Sequence, residues 1–131
     1  MQTTAPLAVR QARQYLNIAL PDTATNVQFA RYRNWLAVLD FIRFEAPSED
    51  CLATAKTILA QHNANNPDMP VAGLSASLNP DWVVDDTSPL TVPWFDPDTI
   101  PKGQSGGNFD SQEPVVWVDT VRGIFYYQLT D

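Results

Sequence analysis

Cys51 and His62 are the nucleophile and the base that hydrolytic chemistry would call on, and the chain holds one of each. Both fall on a segment whose apolar positions Cys51, Leu52, Ala55, Ile58 and Leu59 recur as a helical stripe. Eleven residues along one helix span about 16 Å, so no proton passes directly between the two side chains. Cys51 lies on the apolar stripe, where a free cysteine acts as a small hydrophobe, and His62 at the helix end complements the dipole.

Carboxylate pairs occur at Asp85-Asp86 and Asp96-Pro97-Asp98. Two carboxylates with split pKa values could run acid–base chemistry in a small hydrolase. No surrounding pattern marks a substrate cleft, however, and turn-forming or solvated aspartates account for both pairs. Residues 96–107, DPDTIPKGQSGG, do not make a calcium loop: Ile100 and Pro101 stand where an oxygen ligand and a glycine are needed. The cluster Gly103-Gln104-Ser105-Gly106-Gly107 lacks the Lys-Ser/Thr ending, the following helix and the positive field of a phosphate loop. The residues therefore suggest no catalytic set, no metal site and no cofactor. What stands out is Pro93-Trp94-Phe95-Asp96-Pro97-Asp98, two large aromatics between prolines and acids. Such aromatics either plug a core or anchor a partner, and an acidic rim would suit a basic protein.

The elements that must carry these residues follow from periodicity. Leu7, Ala8, Ala12, Tyr15, Leu16 and Ala19 predict an amphipathic helix ending at Leu20-Pro21. Residues 27–33 and 36–45 are rich in β-formers and read as a hairpin turning through Asn34. A helix over 48–62 follows, with Ser48 as its N-cap and Glu49 and Asp50 in its first turn. Residues 63–114 hold eight of the eleven prolines and four of the five glycines, which predicts an irregular segment. Short strands are expected at 82–84 and 90–92, and a flexible surface loop at 103–112. Residues 115–118 and 124–129, joined by a turn at 119–123, read as a second hairpin. The expected fold is one α+β domain over residues 1–131: an antiparallel sheet of two hairpins plus short strands, with two helices packed on one face.

Charge is distributed unevenly. Residues 1–62 carry six basic and five acidic groups, a net of +1, whereas residues 63–119 carry nine acidic groups against Lys102 alone, a net of −8. A field of that sign repels nucleic acid and anionic lipid and attracts a basic protein surface. An apolar share of 44% with 18% charged residues is that of a folding chain, and no run has the length and apolar character of a spanning helix. One cysteine excludes an internal disulfide. The first sixteen residues lack the basic and apolar regions of an export signal, so the reading is cytoplasmic; removal of an upstream signal would place the protein in the periplasm or cell envelope.

Residues 20–26 (LPDTATN), 43–51 (RFEAPSEDC), 93–97 (PWFDP), Val118-Asp119 and Phe125-Tyr126-Tyr127 together resemble a group of small uncharacterised bacterial proteins, several exported or lipid-anchored. The resemblance covers roughly residues 20–130 and implies an α+β fold and an envelope location; it brings no activity and no functional residues with it. The sequence thus points to a non-enzymatic binding or inhibitory protein, of immunity or accessory type. Trp94, Phe95, Asp96, Asp98, Asp85 and Asp86 would face a basic partner. The alternatives are an envelope protein with a structural or ligand-carrying role and a small carboxylate-dependent hydrolase.

Overall fold

The computed structural model describes residues 2–4, 10–12, 14, 19–33, 38–76, 94–107 and 114–130, with backbone alone at 2–4, 32, 33, 98 and 130. The fold is α+β. One antiparallel sheet contains β1 (Gln2–Thr4), β2 (Thr25–Arg33), β3 (Val38–Glu45), β4 (Ala72–Ser75), β5 (Gly103–Gly107), β6 (Val115–Asp119) and β7 (Ile124–Thr130). Their spatial order is β1-β2-β3-β7-β6-β5-β4. Helix α1 (Ser48–Asn65) packs on one face.

The expected antiparallel pairs are β2 with β3 and β6 with β7, but they do not form separate units. The last strand inserts between them, pairing with β3 from Leu39↔Thr130 to Glu45↔Ile124. Of the predicted N-terminal helix, residues 10–12, 14 and 19 are described; 10–12 and 14 are helical, Ala19 is not, and Ala12 joins the core under α1. The strands expected at 82–84 and 90–92 lie outside the described residues.

Period-two alternation sends successive side chains to opposite faces of the sheet. On the α1 face, Val27, Phe29, Ile42, Phe44, Val116, Val118, Phe125 and Tyr127 meet Cys51, Ala55, Ile58 and Leu59 of the helix. Phe44 and Phe125, opposite one another in register, stack with ring centroids 4.6 Å apart. Arg31 and Asp40 are also directly opposed, and Arg31 donates to both carboxylate oxygens at 2.6 and 2.8 Å. Such a bidentate pair compensates the nearly complete burial of Asp40.

Three local expectations are corrected. First, Ser48 is the first helical residue rather than the cap; Pro47 occupies the cap position, and its carbonyl accepts from the Asp50 and Cys51 amides. The Asp50 carboxylate is instead bound by the Thr23 hydroxyl at 2.7 Å. Second, the helix continues past residue 62 to Asn65 and includes Asn63. Its side chain accepts from the Val71 amide at 2.8 Å and donates to the Val71 carbonyl at 3.3 Å, directing the chain into β4.

Third, residues 103–107 are not a surface loop but β5, almost wholly buried between β6 and β4. Glycine allows this. A side chain at Gly106 would come within 2.9 Å of both the Gly73 backbone and Leu59 Cδ1, so its absence lets the helix and β4 close over the strand. Gly107 ends β5 at φ 113°, a conformation that L residues rarely adopt.

Two stability effects follow. Phe44→Ala should cost about 3–5 kcal/mol of unfolding free energy, as for a large aromatic removed from a packed core. Gly106→Ala should cost about 1–3 kcal/mol through overpacking against backbone that cannot turn aside. Urea denaturation of the purified variants checks both; wild-type stability for Gly106→Ala would mean that β5 does not pack as described.

Candidate functional site: the strap and its polar anchors

The face of the sheet opposite α1 is apolar as well. It presents Ala30, Leu39, Phe41, Val115, Trp117, Ile124 and Tyr126. Residues 94–102 cross it as a strap containing a short 3₁₀ turn, Pro97–Thr99. Phe95 is 1% exposed and stands edge-on to Phe41, Tyr126 and Trp117, with centroid distances of 5.0, 5.5 and 5.8 Å. Ile100 inserts beside it, and half-buried Trp94 packs against the same cluster. Edge-to-face geometry places positive ring edges against negative ring faces, which adds to the gain from burial.

Polar groups fasten the strap at three points. The Tyr126 hydroxyl donates to Asp96 Oδ1 at 2.8 Å and accepts from Arg43, its cross-strand neighbour. Arg122 donates to the carbonyl and hydroxyl of Thr99 at 3.3 and 3.1 Å. The Thr120 amide and hydroxyl both donate to the Lys102 carbonyl at 3.1 Å. Behind Arg122 lies Asp119, 0% exposed, whose carboxylate accepts from the amides of Val121 and Arg122 at 3.0 and 2.8 Å and from the Arg122 guanidinium. The turn expected at 119–123 is thus built around one buried carboxylate, with Gly123 at φ 71° closing it.

The electrostatics fit this packing. Burial, reinforced by the hydrogen bond to Asp96, pushes the Tyr126 phenol up to about 12. Glu45 is held below its ordinary value by hydrogen bonds from Asn26 and then Arg43. Burial pushes the Cys51 thiol up to about 11, while its Sγ donates to the Ala46 carbonyl at 3.5 Å. Cys51 and His62 lie on α1 as expected, and a buried thiol of that kind is a poor nucleophile.

Of the residues expected to face a partner, Phe95 is corrected by its burial: it plugs the core against Trp117 and Tyr126. Asp96 is half-buried and turned toward Tyr126, while Trp94 stands at the margin of the strap. Asp98 is described by backbone alone, and Asp85 and Asp86 lie outside the described residues. The polar anchors Arg43, Asp119, Arg122 and Tyr126 were not singled out in the sequence. Their traces there were the turn between Asp119 and Gly123 and the presence of Arg43, Asp119 and Tyr126 in the segments that carry the resemblance. Among the described residues, no three His, Cys, Asp or Glu side chains gather to hold a metal ion, and no helix is long and apolar enough to cross a membrane. Comparison with family models, curated proteins and solved structures finds no match.

Asp119→Ala strands two amides and a guanidinium and should cost about 2–4 kcal/mol, against about 1 kcal/mol for Tyr126→Phe. Chemical denaturation of the two variants side by side checks that order. The raised pKa values of Cys51 and Tyr126 also carry a sign. Each group holds its proton more tightly when folded, so its contribution is complete below the unfolded value, near 9 for the thiol and near 10 for the phenol. That contribution is lost as pH rises toward about 11 and about 12. Stability should therefore fall from pH 9 upward, and Tyr126→Phe should reduce the slope above pH 10 in a pH series of thermal melts, with buried Tyr127, whose phenol is raised as well, supplying the remainder.

Proposed function

We propose that the protein is a non-enzymatic binding or inhibitory protein whose acidic segment 63–119 docks on a basic surface of a partner protein. The observation that carries this reading is the segregation of charge: a net of −8 in residues 63–119 against +1 in residues 1–62. Two of the nine acids in that segment, Asp96 and Asp119, bond to Tyr126 and Arg122 and contribute to the fold instead. Asp68 is exposed. In this reading Asp85, Asp86 and Asp98 supply the charge that meets the partner, Trp94 the apolar contact, and Phe95 the buried plug that holds the strap in place. Clustered like charge speeds encounter with an opposite surface and rejects like-charged ones, including phosphate backbones and anionic lipid. The raised Cys51 pKa and the Tyr126 bond on Asp96 favour binding over catalysis, because both withdraw groups that chemistry would need.

The test is an affinity capture from cell extract with identification by mass spectrometry, followed by binding measurements on the purified partner. The triple variant Asp85→Asn/Asp86→Asn/Asp98→Asn should weaken binding of a basic partner about tenfold or more at low salt, and added salt should weaken wild-type binding similarly. Trp94→Ala should weaken it with little change in salt dependence. Asp22→Asn/Glu49→Asn, which removes exposed acids outside the segment, should leave it intact. Full, salt-insensitive binding by the triple variant would overturn the reading.

A further inference from the structure

We draw no further inference here: the strongest candidate, the outer edge of the sheet at β4 (Ala72–Ser75), is short and irregular in register, and nothing in the structure shows what covers it.

Discussion

Strand β7 lies between β3 and β6, and the side chains on both of its faces are buried: Phe125 and Tyr127 on one, Ile124 and Tyr126 on the other. An antiparallel sheet usually keeps one face in water, but this one cannot, because its central strands leave apolar surface on both sides. Two covers are therefore required. Helix α1 supplies one, and the strap at residues 94–102 supplies the other. The remaining features of the molecule are consequences of fitting a helix to one face and a stretch of irregular chain to the other.

The two covers are built by different physics. A helix satisfies its own backbone and needs only a smooth surface to approach, which the glycines of β5 provide near Leu59. An irregular strap has unpaired backbone groups that must find partners when buried. At the exposed end of the strap, the turn between β6 and β7 supplies partners through Arg122 on the Thr99 carbonyl and Thr120 on the Lys102 carbonyl. Asp119 orients Arg122 for this and pairs the turn's own amides, so a fully buried carboxylate has its charge answered from three sides. Tyr126 combines both tasks, with its ring against Phe95 and its hydroxyl on Asp96.

One stretch of chain thereby combines structural and surface roles. Within PWFDPD, Phe95 and Asp96 face the sheet while Trp94 stands at the margin. Pro97 opens the 3₁₀ turn, where its missing amide costs no hydrogen bond. In the proposed function, the seating of Phe95 would fix the neighbouring Trp94 at the edge of the contact.

Sequence reasoning read well wherever a local rule had one outcome. The β-formers in 36–45, the stripe Cys51-Leu52-Ala55-Ile58-Leu59, and the turn between Asp119 and Gly123 each specified an element to within a few residues. The charge segregation is a property of the chain itself. The sequence left open which strands are neighbours, because pairing β7 with β3 joins residues from Glu45 and Ile124 to Leu39 and Thr130, far apart in the chain. It also hid β5. GQSGG has neither alternation nor β-branched residues, and its place in the sheet comes from the close approach of Leu59 and Gly73 to a strand with no side chain at Gly106. Whether Phe95 faced inward or outward was likewise open, since a loop aromatic suits either environment; the uncovered rings of Phe41, Trp117 and Tyr126 decided it. Periodicity and charge are local sums that the sequence by itself determines. Strand order, the use of glycine as space and the direction of a loop side chain were settled only when distant residues met in the tertiary structure.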